Sequence, residues 1–278
     1  MSEQDWQHWL EPVKAIAEQA GARIMTVYRT ADFEVEAKDD DTPLTQADRA
    51  AHEAIHSGLN ELTPQIPQLS EEGGAIDPAS RRAWRQYWLI DPLDGTREFI
   101  KRNGEFTVNI ALVVEGVPVL GVVHAPDLGV TWGGVAGHGA WREAAGGERR
   151  TIRTRTAEPP LTAVVSRSHR EAAVADILAR LGDYRELSVG SSLKICRIAE
   201  GEADLYPRFG PTCEWDTGAA QCVLEAAGGR LMDIGLTPLG YNTGDSWLNP
   251  DFLAVGDPAF DWRGLTQGLP WEARRRGS

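Results

Sequence analysis

Cysteine is scarce in this sequence. Cys196, Cys213 and Cys222 are the only three in 278 residues, and they form neither a C-x-x-C pair nor a zinc-like spacing with histidine. That argues against a disulfide framework or a structural zinc site and fits a reduced, cytoplasmic compartment. Cationic side chains are also in deficit. With 28 Lys and Arg against 41 Asp and Glu, the formal net charge is −13. A nucleic-acid polymer is held by clustered Lys and Arg, so that class of partner is set aside. A small anionic substrate stays compatible, because bound metal ions reverse a local field. No apolar run approaches the length of a membrane span. The first ten residues lack the basic and apolar regions of a signal peptide. These absences place the chain in the cytoplasm, with peripheral contact at the cytoplasmic face of the inner membrane left open. Neither repeats nor low-complexity segments occur, and nothing in the sequence fixes the oligomeric state.

What is present is an ordinary globular composition, 42% hydrophobic and 25% charged, long enough to bury a large core. Trp9, Leu10, Val13, Ile16, Ala17, Ala20, Ile24, Val27 and Tyr28 recur at three- and four-residue steps. They predict one amphipathic helix over residues 4–29. Thr45-Gln46-Ala47-Asp48 is a capping pattern that opens a second helix, with Ala51, Ile55, Leu59 and Leu62 on one face. His52 and His56 lie four apart on that helix. With no third ligand evident, they read as a surface or partly packed pair. Asp32 to Asp41 reads as a loop with one short strand, and Asp77 to Arg85 as a polar, exposed segment. From Phe106, apolar runs separated by short turns predict an antiparallel meander, followed by a strand over Thr151 to Arg155. Beyond Ala157-Glu158-Pro159-Pro160 strands and helices alternate, the mark of α/β layering. The expected division is an α+β half over 1–156, an α/β half over 157–262 and a tail over 263–278.

The stretch with chemical promise is Asp91-Pro92-Leu93-Asp94-Gly95-Thr96, directly after the apolar Tyr87-Trp88-Leu89-Ile90. Pro92 is expected to end the strand. Gly95 permits a positive φ or close backbone approach, and Thr96-Arg97-Glu98-Phe99 can open a short helix. Two carboxylates, a free carbonyl and the amides of a helix start are thereby gathered together. Asp-Pro and Asp-Gly are also common turn dipeptides, so a metal site needs further ligands. Glu71, in Ser70-Glu71-Glu72-Gly73-Gly74, and Asp216, in Trp215-Asp216-Thr217-Gly218, are candidates. The first also reads as a solvated loop and the second as a helix N-cap. Hard oxygen ligands in this number suit Mg²⁺, which shares its shell with phosphate oxygens.

Asp91 to Thr96 together with Trp215-Asp216 and Glu225-Ala226-Ala227-Gly228-Gly229 resemble the paired signatures of the inositol monophosphatase superfamily. Ser70-Glu71-Glu72 and Thr45-x-x-Asp48 match it in type and order, and the resemblance spans about residues 5–256. It implies an α+β, layered α/β fold with alternating α-β-α-β-α layers, and a lithium-sensitive phosphomonoesterase that uses two or more Mg²⁺. Carried over residue by residue, Glu71, Asp91 and the Leu93 carbonyl hold one ion. Asp91, Asp94 and Asp216 hold the second, and the Gly95 and Thr96 amides hold the phosphate. The Thr96 hydroxyl, oriented by Asp48, works on the attacking water alongside Glu71, and Glu72 supports that pair from behind.

Four further segments resemble the bacterial 3'(2'),5'-bisphosphate nucleotidase branch. They are Arg97 to Thr107, Ser166-Arg167-Ser168-His169, Gly190-Ser191-Ser192-Leu193-Lys194 and Ala203 to Thr212. This implies a nucleotide substrate, 3'-phosphoadenosine 5'-phosphate, cleaved to AMP and phosphate. His169, Ser191, Lys194 and Arg208 would contact it beside Glu71, Leu93, Asp94, Gly95, Thr96 and Asp216. Simpler readings stand next to these: Ser191 could cap the helix carrying Lys194, and Lys194 or Arg208 could be solvated. The alternative function on the same fold is an inositol or fructose 1,6-bisphosphate phosphatase.

Overall fold

The computed structural model describes residues 4–29, 35–37, 43–165 and 172–268. The chain opens with α1 (Gln4–Tyr28), the short pair β1 (Val35–Ala37) and β2 (Pro43–Thr45), and α2 (Gln46–Leu62). Next come β3 (Gln68–Ser70), α3 (Pro78–Arg82), β4 (Gln86–Asp94) and α4 (Thr96–Ile100). The meander follows as β5 (Thr107–Val114), β6 (Val117–Ala125), β7 (Val130–Val135), β8 (Gly139–Ala144) and β9 (Arg149–Ile152). The remainder alternates: β10 (Leu161–Val165), α5 (Ala172–Arg180), β11 (Tyr184–Ser188), α6 (Leu193–Ala199) and β12 (Leu205–Arg208). It closes with α7 (Glu214–Ala226), β13 (Arg230–Asp233), β14 (Phe252–Val255) and α8 (Arg263–Thr266).

These elements stack as five layers. A seven-stranded sheet in the order β3-β4-β5-β6-β7-β8-β9 carries α1 and α2 on one face and α7 on the other. Helices α6 and α7 pack together, and beyond them lies a five-stranded sheet, β11-β10-β12-β14-β13, backed by α5 and α8. The α-β-α-β-α layering expected from the sequence is the architecture found. Three apolar clusters fill the spaces between these layers, one of them running on both sides of α6 and α7, because a helix stripe or sheet face is stable only when buried against another.

Strand alternation decides which side chain enters which space. On β4, Trp88 and Ile90 join the cluster under α1 and α2, whereas Tyr87 and Leu89 join the cluster under α7. On β5, Ile110 and Leu112 go to the first, Ala111 and Val113 to the second. A strand buried on both faces reads as an unbroken apolar run, which is the pattern of both segments. Continuing the alternation puts Asp91 on the α7 side. Helix α7 lies close against the sheet where Gly121 has no side chain; a Cβ there would sit 2.3 Å from the Ala219 carbonyl oxygen.

Several expectations need correction. Pro92 does not end the strand. Strand β4 continues to Asp94 through a bulge, with Asp91 opposite Asn109 and Asp94 opposite Thr107 on β5. Pro92 and Leu93 are the residues between those pairs, a position where a missing N–H costs no ladder bond. The segment 77–85 is not simply exposed. It contains α3, capped by Asp77, and Arg81 within it is 0% exposed. The strand foreseen at 151–155 lies at Arg149–Ile152, and α7 begins at Glu214, ahead of Asp216. The Ser166-to-His169 segment, most of the Asp32-to-Asp41 loop and the basic tail from Trp271 lie outside the described residues.

Candidate active site

Glu71, Asp94 and Asp216 sit at or beside the ends of elements, and Asp91 sits where β4 enters its bulge. Strand β3 pairs parallel with β4, so Glu71 is delivered beside the end of β4, where its N–H donates to the Ile90 carbonyl at 3.1 Å. Asp91 is 1% exposed, and its Oδ1 accepts the Leu93 N–H at 3.1 Å. That local bond folds the bulge back on itself. Gly95 follows with φ 92°, a conformation glycine adopts at least cost. Its carbonyl accepts the Phe99 N–H at 2.9 Å to start α4. The Thr96 hydroxyl donates to the Leu93 carbonyl at 3.4 Å. Asp48 enters from the first turn of α2 and is 1% exposed.

Asp216 is not the N-cap of its helix. Cys213 is, and the Asp216 carboxylate turns back to accept the Cys213 N–H at 2.9 Å. A carboxylate in a first helical turn is favoured by the orphan amides and the helix dipole, which leaves its second oxygen available. The start of α7 is braced from outside by Arg81. The guanidinium donates to Asn242 Oδ1 at 2.7 Å and to the Gly244 and Asp245 carbonyls at 2.9 and 3.0 Å. It also lies 3.7 Å above the Trp247 ring, and Trp247 accepts the Glu214 N–H through its carbonyl at 2.8 Å. Arg81 therefore ties the segment following Glu71 to the helix bearing Asp216.

Electrostatics brings these groups into one site. Asp91 is pushed well above the usual carboxylate range, first by burial and then by the charges of Glu71, Asp94, Asp216 and Asp48. Asp216 is pushed up to about 8 by burial and by Asp94 and Glu71, against a smaller opposing pull from Arg208. A set of carboxylates that repel one another, with the Arg208 guanidinium only a weak counter-charge to Asp216, is what a divalent cation relieves. Asn109 Oδ1, on a residue 1% exposed, makes no hydrogen bond within the protein and adds another acceptor beside Asp91. The all-oxygen donor set therefore fits Mg²⁺. Among the described residues, no three acidic, histidine or cysteine groups already converge as tightly as a bound ion would draw them.

The expected nucleotide contacts fare unequally. His169 lies outside the described residues. Ser191 adopts φ 48° and is not a helix cap; Ser192 takes the N-cap position of α6. The Ser191 hydroxyl meets Thr107 Oγ1 at 2.9 Å. Lys194 is buried rather than solvated. Its ammonium donates to the Ser191 carbonyl at 2.8 Å and lies 5.6 Å from the centre of the Tyr206 ring. Arg208 donates to the Pro211 carbonyl at 2.9 Å, and its buried Nε–H makes no hydrogen bond within the protein. His52 and His56 stack at 5.8 Å, each holding a β3 side chain: His52 Nδ1 meets Ser70 Oγ at 2.9 Å and His56 Nδ1 meets Gln68 Oε1 at 3.1 Å.

Comparison with known proteins places the chain in a family. The model of the inositol monophosphatase family matches residues 5–257. The chain belongs to the inositol monophosphatase family. Among curated relatives, the 3'(2'),5'-bisphosphate nucleotidase CysQ of Escherichia coli K12 is 51% identical over 247 residues, covering 87% of this chain and 98% of the relative. The CysQ of Buchnera aphidicola is 42% identical, covering 90% and 94%. Among solved structures, CysQ of Bacteroides thetaiotaomicron superposes with a TM-score of 0.80 at 42% identity, covering 90% of this chain and 97% of the other. The inositol monophosphatase of Anabaena gives 0.73 at 27% identity, covering 94% and 95%.

Sequence reasoning overlooked Arg81, Thr107, Asn109 and Ser192. Thr107 and Asn109 carried a readable signal, since they are the polar positions of an otherwise apolar strand. A buried polar group needs a partner.

Proposed function

We propose that this chain is a Mg²⁺-dependent 3'(2'),5'-bisphosphate nucleotidase, which hydrolyses the 3'-phosphate of 3'-phosphoadenosine 5'-phosphate to AMP and phosphate. The observation that carries the reading is the group of carboxylates around Asp91, beside the α4 amides, whose charges add to burial in pushing up the pKa of Asp91 and Asp216. Identity of 51% to a CysQ nucleotidase, against 27% to the Anabaena inositol monophosphatase, favours the nucleotide over an inositol or sugar phosphate.

In this reading Glu71, Asp91 and the Leu93 carbonyl hold one Mg²⁺, and Asp91, Asp94 and Asp216 hold another. When bound, these ions neutralise phosphoryl charge and acidify a water. The Gly95 and Thr96 amides bind the phosphoryl oxygens. Glu71 and the Thr96 hydroxyl, with Asp48 behind it, orient the attacking water and take up its proton. The water oxygen bonds to phosphorus as the bond to the 3'-oxygen breaks, and the proton taken from the water is returned through solvent to that departing oxygen. Ser191 and Arg208 face the remaining phosphate, with His169 kept as a nucleotide contact on the sequence resemblance alone, and Lys194 acts by fixing the Ser191 turn. The halves 1–156 and 157–262 each supply part of this site; the expected tail over 263–278 is corrected at its start, where Arg263–Thr266 form α8 and Leu265 is buried. The free thiols of Cys196, Cys213 and Cys222 suit the cytoplasm, and among the described residues no helix is long and apolar enough to cross a membrane.

The test is a phosphate-release panel with excess Mg²⁺, comparing 3'-phosphoadenosine 5'-phosphate, inositol 1-phosphate and fructose 1,6-bisphosphate. The nucleotide should have the highest kcat/KM by about tenfold or more. A higher value for either sugar phosphate would overturn the substrate assignment.

A further inference from the structure

Strand β5 faces the metal ligands along its own register. Thr107 lies opposite Asp94 and Asn109 opposite Asp91. The same two side chains reach a turn far away in sequence: Thr107 Oγ1 meets Ser191 Oγ at 2.9 Å, and Asn109 Nδ2 donates to Ser192 Oγ at 2.9 Å. Ser192 is 3% exposed and is the more heavily engaged of the two serines. Its N–H donates to Asp94 Oδ2 at 2.6 Å. Its hydroxyl lies 2.9 Å from that same carboxylate oxygen and 2.7 Å from the Asp216 carbonyl.

Counting protons fixes the direction of these bonds. The Ser192 hydroxyl has one proton, and both the Asp94 carboxylate and the Asp216 carbonyl accept. That proton is committed to them, so Asn109 must donate to the hydroxyl through its amide nitrogen. The Asn109 carbonyl oxygen is thereby turned away from Ser192, the orientation in which it makes no hydrogen bond within the protein. One bracket thus joins four separate pieces of chain: β5, the end of β4, the start of α6 and the first turn of α7.

We infer that Asn109 and Ser192 are positioning residues for the metal centre, setting Asp94 and the Asp216 turn at fixed places relative to Asp91. The inference rests on the ligand assignment above. The groups that orient a ligand from behind commonly change metal affinity by about 10- to 100-fold when removed. Both residues act in one network, so their effects on affinity should not add.

The test is direct binding of Mn²⁺, an oxygen-preferring stand-in for Mg²⁺, to the full chain. The loss of the free-ion paramagnetic resonance signal reports it without reference to turnover. Ser192→Ala and Asn109→Ala should each weaken binding about 10- to 100-fold, and the double variant should bind no more than about threefold more weakly than the worse single. Melting of metal-free Ser192→Ala should stay within a few degrees of wild type, because only one hydroxyl is lost; a purely structural role would move that melting and leave affinity alone. Should Asn109→Ala fail to fold, Ser192→Ala alone decides. Unchanged Mn²⁺ affinity in Ser192→Ala, or fully additive losses, would overturn the bracket. Absence of Mn²⁺ binding by the wild type, or full binding by Asp91→Asn, would instead overturn the ligand assignment itself.

Discussion

Replacing Asp216 by asparagine should stabilise the metal-free protein and destabilise the metal-loaded one. In the folded, metal-free chain the Asp216 pKa is pushed up from 3.8 to about 8 by burial and by Asp94 and Glu71. Between those values the folded state holds a proton that the unfolded state has released. Stability therefore falls as pH rises through this window, and the loss by pH 7 is about 4 kcal/mol at most. Because the neighbouring carboxylates share the repulsion and rearrange their own protonation, a gain of about 2–4 kcal/mol is the expected size at pH 7. Asparagine keeps an oxygen for the Cys213 N–H, so the helix start should not be disturbed. The assay is urea unfolding of wild type and Asp216→Asn in EDTA at pH 5 and 7, repeated at pH 7 with saturating Mg²⁺. In EDTA the variant should be more stable, and more so at pH 7 than at pH 5. With Mg²⁺ the order should reverse, because a ligand that binds only the folded state adds stability in proportion to its affinity. A variant less stable than wild type in EDTA at pH 7 would refute the reasoning.

Three other perturbations probe separate parts of the account. Arg208→Ala removes a donor with an uncommitted N–H near Asp216 and should raise KM for the bisphosphate nucleotide about tenfold or more, with little change for inositol 1-phosphate. Equal effects on both substrates would put the second phosphate elsewhere. Gly121→Ala drives a Cβ against the Ala219 carbonyl and should cost about 1–3 kcal/mol in unfolding while lowering kcat through the displaced α7; an unchanged melting temperature would contradict that packing. His124 is held neutral, its pKa lowered to about 4 chiefly by burial, so the folded state binds fewer protons than the unfolded below about pH 6.5. It should account for about 3 kcal/mol of stability lost as pH falls from 6.5 to 4, a loss that His124→Gln should abolish.

How much of this was legible depended on whether the physics was local. The layered fold followed from unbroken apolar runs at β4 and β5 and from the alternation after β10. Asp91 and Asp94 announced themselves as carboxylates beside proline and glycine after an apolar segment, whereas Asp216, between Trp215 and Thr217, read by itself as a helix N-cap and gained its role from the resemblance. Arg81 did not, because charged residues are rarely buried and its acceptors, the Asn242 side chain and the carbonyls of residues 244 and 245, lie far along the chain with no local signature. The bulge that carries β4 past Pro92 depends on pairing with Thr107, which the hexapeptide cannot reveal. Lys194 illustrates the same limit. Its cation was expected to meet substrate; the bond it also makes, to the Ser191 carbonyl three residues away, is set up by a positive φ that the sequence of a serine does not suggest.

The central claim is that Asp91 lies at the heart of a metal-dependent site that cleaves a nucleotide phosphate. The most direct measurement is the product formed from 3'-phosphoadenosine 5'-phosphate with excess Mg²⁺ by wild type and by Asp91→Asn. The account predicts AMP and phosphate in equal amounts from the wild type, and a rate lower by about a thousandfold or more in a folded variant. Absence of AMP from the wild-type reaction, or near-normal turnover by Asp91→Asn, would contradict it.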